Sequence, residues 1–155
     1  MREVAPERTG WRDSEISLRH RKWGYNCPAV DLDFVMAEYN HGKPVAIVEY
    51  KHRCAQEPQI GHPTYQALTA LADGYTCGAL PFFVAIYYPP EWYFRVIPVN
   101  EAAKAYYKHV LDEYLTEQRF VKSLYVLRKR VLTREDEDAI SALNDTLPDG
   151  DPPRN

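Results

Sequence analysis

A mixed α/β fold is predicted for this chain of 155 residues by three observations. Two strand-like runs, residues 29–39 and 44–51, flank the turn-forming Asn40-His41-Gly42-Lys43. Pro63 opens a run with helical spacing, and a second pair of apolar strand-like runs is followed by amphipathic helical patterns. The order helix, hairpin, helix, strands, helices predicts a central mixed β-sheet flanked by helices, with further helices at the C-terminal end. The length suits a single domain, 1–155, built on one core.

Residues 1–10 mix proline, glycine and charges and are expected to form a loose arm; residues 147–155, with three prolines, are expected to fray. Asp13-Ser14 ahead of Glu15-Ile16-Ser17-Leu18 can cap a short first helix, which runs into Arg19-His20-Arg21-Lys22 before Trp23-Gly24. In the strand predicted over 29–39, alternation puts Val30, Leu32, Phe34 and Met36 on one face and Asp31, Asp33 and Val35 on the other. Asn40 and Gly42 then supply residues that tolerate positive φ, and the returning strand covers 44–51. Opposed residues of an antiparallel hairpin have a constant index sum, so pairing Tyr39 with Lys43 or Pro44 sets Glu49 opposite Asp33 or Phe34.

Pro63 is placed for the first turn of a helix over 64–72, with Tyr65, Leu68 and Leu71 or Ala72 at helical spacing and Gly74 and Gly78 beyond its end. Residues 80–88 and 92–99 read as strands joined by Pro89-Pro90. Asn100 opens a helix expected over 101–116, with Ala102, Ala105, Tyr106, His109 and Val110 on one side; a further helix carries Phe120, Leu124, Tyr125 and Leu127.

Hydrophobic residues at 45% and charged residues at 26% set the chain apart from disordered compositions. A net charge of −3 provides no general basic field, so nucleic-acid contact has to come from local patches. Cys27, Cys54 and Cys77 are odd in number and form no Cys-x-x-Cys pair, which argues against a disulfide framework and a zinc knuckle and for a reducing, cytoplasmic setting. No run reaches the roughly 18 apolar residues of a membrane span, and the N-terminus has no apolar signal region, so no membrane association is expected.

The chemistry concentrates where charged residues end apolar strands, because such groups need a metal, water or one another as partners. Glu49-Tyr50-Lys51 closes the apolar run 44–48, and Asp31 and Asp33 stand near the start of the preceding strand. Glu49 and Lys51 share a face, whereas Tyr50 points away and offers its carbonyl. Two carboxylates and a carbonyl are hard donors for Mg²⁺ or Mn²⁺, and a lysine beside them can orient or deprotonate a water. An acid-x-Lys triplet alone occurs by chance about once in such a chain; its context carries the weight.

That context is an Asp-led strand, a glycine-containing turn, an apolar strand ending in Glu-x-Lys and a helix after it. It resembles the PD-(D/E)xK, or restriction-endonuclease-like, nuclease superfamily over roughly residues 15–99. The resemblance implies a restriction-endonuclease-like core and a Mg²⁺- or Mn²⁺-dependent deoxyribonuclease. It carries the family's acid to Asp33, with Asp31 as the rival, and its Glu-x-Lys to Glu49-Tyr50-Lys51. It further implies Asp33, Glu49 and the Tyr50 carbonyl as metal ligands and Lys51 as the catalytic lysine. Glu15 is the candidate for the carboxylate many members carry on a first helix. Tyr65-Gln66 matches the Tyr and Gln that RecB-like branches add after the motif. The family's proline has no match directly before the acids, since Pro28 stands further back.

Arg19, His20, Arg21 and Lys22, with His52, are candidates for gripping DNA phosphates; a wet helix face explains the basic run equally well. His62 is a further candidate, although lone histidines usually serve neither metal nor phosphate. The second basic stretch, Lys122, Arg128, Lys129, Arg130 and Arg134, reads as solvated helix surface. The alternative to an enzyme is a non-catalytic nucleic-acid- or protein-binding module of the same fold. With no separate sequence-reading domain, specificity would come from DNA shape, strand ends or a partner protein, and a homodimer would allow cutting of two strands.

Overall fold

The computed structural model describes residues 16, 19, 20, 22, 23, 29–38 and 42–131. Two compact units are distinguished, Met1–Asp31 with Leu147–Asn155, and Leu32–Thr146. In the first, Ile16, Arg19, His20 and Lys22 are helical, as expected for the first helix, and the rings of His20 and Trp23 lie 4.9 Å apart. Glu15 and Arg21 lie outside the described residues.

The second unit holds a five-stranded mixed sheet in the order β1 (Phe34–Glu38), β2 (Lys43–His52), β3 (Phe82–Tyr88), β4 (Tyr93–Pro98) and β5 (Tyr114–Thr116). Neighbours are antiparallel except β2 and β3, which run parallel and are joined by the crossover helix α1 (Pro63–Asp73). Helices α2 (Glu101–Tyr107) and α3 (Glu117–Lys129) cover the opposite face. Strand β2 is sheathed on both faces, so Val45, Ala46, Ile47 and Val48 are all buried; this is why the sequence there is continuously apolar rather than alternating.

Alternation assigns the two faces. Ile47, Phe82, Val84 and Ile86 pack with Tyr65, Leu68 and Ala72 of α1. Val48, Phe83, Ala85, Phe94 and Val96 pack with Ala103 and Tyr107 of α2 and Phe120 and Leu127 of α3. Gly42 has φ 61°, the positive value the hairpin turn was expected to need. Asn100 is buried and ties the layers together. Its Oδ1 accepts from the amides of Phe82 (2.9 Å) and Ala103 (3.0 Å), while Nδ2 donates to Asp73 and to the Leu80 carbonyl, both at 2.8 Å.

Four expectations are corrected. Strand β1 begins at Phe34 rather than near residue 29, because its ladder with β2 starts at Phe34↔Val48; on this edge strand Phe34 and Val35 are exposed and the fully buried residue is Glu38. Glu38 is held by Arg128 of α3, Nη2 to Oε1 2.8 Å, so Arg128, though still partly exposed, has a buried partner rather than solvent alone. The helix expected over 101–116 ends at Tyr107, and its buried stripe is Ala103 and Tyr107 instead of Ala105 and His109, which are exposed. A turn with Asp112 at φ 64° then feeds Tyr114-Leu115-Thr116 into β5. Finally, Tyr125 is exposed on α3, where Phe120 and Leu127 form the buried stripe.

Candidate metal centre at the end of strand β2

The hairpin register decides which groups meet. Pairing runs Glu38↔Lys43 and Ala37↔Pro44, shifts between Met36 and Ala37, and continues Met36↔Ala46, Val35↔Ile47, Phe34↔Val48. The shift leaves Val45 as an extra residue on β2, a β-bulge. Continued by one residue beyond Phe34, the shifted ladder would set Asp33 opposite Glu49; at the turn itself Glu38↔Lys43 matches neither register expected, and the bulge at Val45 makes up the difference. Asp31 falls in the other unit, as do Arg19, His20 and Lys22.

Glu49 and Lys51 lie on the α1 face of β2, in register with Val84 and Ile86. Lys51 Nζ is 2.8 Å from Glu49 Oε1, with both side chains largely shielded. Tyr65, buried on α1, donates its hydroxyl to the same Oε1 at 3.1 Å. Burial, then the charge and hydrogen bond of Glu49, then the charge of Asp33 push the Tyr65 phenol well above its usual range. The hydroxyl therefore stays a donor at any working pH, and both acids are near enough to act on it.

Peptide directions follow from two hydrogen bonds to β3. The Ile47 amide donates to the Pro81 carbonyl (2.9 Å) and the Arg53 amide to the Tyr87 carbonyl (3.0 Å). Peptide groups alternate sides along a strand, so Ile47, Glu49 and Lys51 face β3 whereas Val48 and Tyr50 face β1. The last described β1 pair is at Val48, so the Tyr50 carbonyl faces the side on which Asp33 approaches. The Tyr50 ring turns to the other face of the sheet, 5.2 Å from the Phe34 ring and 6.3 Å from that of Phe120, and burial raises its phenol pKa.

Among the described residues no group of three His, Cys, Asp or Glu side chains is placed to hold a metal ion. The donors at this place are two carboxylates, Asp33 and Glu49, and one carbonyl, that of Tyr50. All three are hard oxygens of the kind Mg²⁺ and Mn²⁺ prefer. Glu49 Oε1 carries both protein contacts, which leaves Oε2 without a partner among the described residues, and Asp33 is exposed. In donor type these oxygens are compatible with a divalent cation.

Other candidates are distributed differently. Gln66 is exposed on α1 and donates to the Gly61 carbonyl at 3.1 Å, bracing the loop that leads into the helix. His62 caps that helix: its Nδ1 accepts from the Thr64 amide at 3.3 Å. His52 lies on the face of β2 opposite Glu49 and Lys51, against Tyr87, and its Nδ1 accepts from the Cys54 amide at 3.1 Å. Cys54 and Cys77 are free thiols. Sequence reasoning passed over Arg95 of β4, which pairs with Glu57 of the β2–α1 loop at 2.5 Å and whose Nε is buried with no partner among the described residues. A lone arginine inside the run Tyr93-Phe94-Arg95-Val96-Ile97 was the available signal. No described helix is long and apolar enough to cross a membrane. No family model, curated protein or solved structure matches this chain.

Proposed function

We propose that this chain is a metal-dependent nuclease that hydrolyses phosphodiester bonds of DNA, in the manner of the PD-(D/E)xK enzymes. What supports the proposal is the register: continued by one residue it would set Asp33 against Glu49, with the Tyr50 carbonyl turned to the same side and Lys51 2.8 Å from Glu49. The α/β architecture of an antiparallel hairpin, a crossover helix and a parallel third strand is compatible with the fold that the sequence resemblance implies.

Asp33, Glu49 and the Tyr50 carbonyl would hold the ion, which when bound neutralises phosphate charge and lowers the pKa of water. Lys51 positions the attacking water with its ammonium and offsets the negative charge that builds on the phosphate oxygens. Tyr65 fixes the Glu49 carboxylate, so the lysine and the acid hold one geometry. One observation favours the second reading, a non-catalytic binding module: Lys51 already offsets the charge of the Glu49 carboxylate without any metal.

Incubating the purified chain with plasmid, linear duplex and single-stranded DNA in Mg²⁺, Mn²⁺ or EDTA decides between them. Cleavage confined to the metal-containing arms and lost in Asp33→Asn is expected. Retained DNA binding without cleavage in any arm would establish the binding module instead.

A further inference from the structure

One two-residue step beyond Lys51, the same face of the sheet carries a second built feature. Lys51 is in register with Ile86 of β3, Ile86 with Arg95 of β4, and Arg95 with Tyr114 of β5. The next row is Tyr88 paired with Tyr93, and the Arg53–Tyr87 backbone bond extends the parallel ladder so that Arg53 falls beside Tyr88. Arg53, Tyr88, Glu91, Tyr93 and Tyr114 line an open cavity of about 330 Å³. Strand geometry puts it about 7 Å along the sheet from the Lys51 row.

Its walls are aromatic and uncovered. Tyr93 and Tyr114 are 42% and 58% exposed, although tyrosines in a sheet ordinarily bury their rings against a neighbour. Tyr88 and Tyr114 meet edge to face with centroids 5.2 Å apart, which stiffens the cavity without closing it. Arg53 is exposed and has no ion-pair partner among the described residues. Ring faces beside a free guanidinium, next to a phosphodiester-cleaving centre, are the combination that holds an unpaired nucleotide: bases stack on the rings and the backbone phosphate meets the cation. A paired base offers neither face, since its neighbours in the duplex cover both. Glu91 repels phosphate and so belongs on the base side, where a carboxylate accepts from an exocyclic amine.

Resting on the nuclease reading, we infer that the cavity bounded by Arg53, Tyr88, Tyr93 and Tyr114 receives an unpaired nucleotide next to the scissile phosphate. The preferred substrates are then single strands and the single-stranded arms of branched DNA, with blunt duplex disfavoured. Arg53 holds the phosphate and Tyr93 and Tyr114 clasp the base.

The test is fluorescence anisotropy of the full chain with labelled single-stranded and blunt duplex oligonucleotides in EDTA, followed by cleavage of both in Mn²⁺. Tyr114→Ala and Tyr93→Ala are expected to weaken single-strand binding about ten-fold each, with Tyr114→Trp restoring it. Arg53→Ala should lower the slope of log affinity against log salt by about 0.7, the loss of one phosphate contact. Duplex binding should be unchanged in all of them. Equal single-strand affinity in the alanine variants, alongside metal-dependent cleavage by the unaltered chain, would overturn the cavity assignment and leave the nuclease standing. No binding and no cleavage of any oligonucleotide by the unaltered chain would overturn both.

Discussion

The Tyr65 hydroxyl and the Lys51 ammonium converge on a single carboxylate oxygen, Glu49 Oε1, at 3.1 and 2.8 Å. The crossover helix is thereby linked to the end of β2 by a polar contact as well as by apolar packing. Tyr65→Phe removes the hydroxyl and keeps the ring, which stacks on Phe82 at 6.1 Å. Loss of a largely buried hydrogen bond to a charged acceptor should cost about 1–2 kcal/mol. A lower urea midpoint at constant slope is the expected result. An unshifted midpoint would show that the hydroxyl bonds water as well as it bonds Glu49.

Lys51→Ala separates chemistry from binding. If the ammonium positions the water, cleavage should fall by about 10²–10⁴-fold. Stability should move by no more than about 1 kcal/mol, because the pair with Glu49 is partly solvated and Tyr65 keeps its bond to the carboxylate. Affinity for Mn²⁺, measured by titration calorimetry, should rise as a competing cation leaves Glu49. Unchanged Mn²⁺ affinity would place the ion elsewhere.

At alkaline pH two buried tyrosines set the direction. The Tyr65 phenol is raised by burial and by the charges of Glu49 and Asp33, and the Tyr107 phenol by its burial under the sheet. In the unfolded chain both ionise near pH 10. Above that pH the unfolded chain has released protons that the folded chain still holds, so stability is full below about pH 10 and declines as pH rises. Phenolate absorbance should show a late-titrating fraction coupled to unfolding, and Tyr107→Phe should make the decline shallower. Titration of all the tyrosines in one step near pH 10, in a chain that stays folded, would contradict this.

The centre of the fold is legible in the sequence because local chemistry and global pattern agree there. Gly42 in the turn, the apolar run ending at Glu49 and Pro63 at the head of α1 each leave few alternatives, but the bulge at Val45 that sets the pairing beyond the turn carries no signal in the sequence. What the sequence conceals depends on partners far along the chain. Glu38 reads as a polar residue at a strand end, yet it is fully buried because Arg128, on the last described helix, reaches it. Strand β5 has three residues, too few for periodicity to separate it from the helical pattern before it. Tyr65 carries an ordinary helix-core signature; only the fold reveals the carboxylate at its hydroxyl.

Asn100 offers the sharpest test of how the layers are held in place. Its amide makes four bonds, two accepted from the Phe82 and Ala103 amides and two donated to Asp73 and the Leu80 carbonyl, so both halves of the group are fully used. Asn100→Asp keeps the acceptor and replaces the donor by a second oxygen, aimed at a carboxylate and a carbonyl. That arrangement raises the introduced carboxyl's folded pKa above its unfolded value near 4. The variant should therefore come closest to the parent in acid and lose ground as pH rises, reaching a deficit of about 3 kcal/mol at neutral pH. Asn100→Ala removes all four bonds and should show a deficit that does not vary with pH. Denaturation midpoints of both variants between acid and neutral pH check the point: parallel curves would mean that water or a rotated side chain takes over the bonds to Asp73 and Leu80. Divergent curves would show that this single amide locks the end of α1 to the start of β3. The orientation of the helix that presents Tyr65 to Glu49 would then depend on a residue on the far side of the crossover.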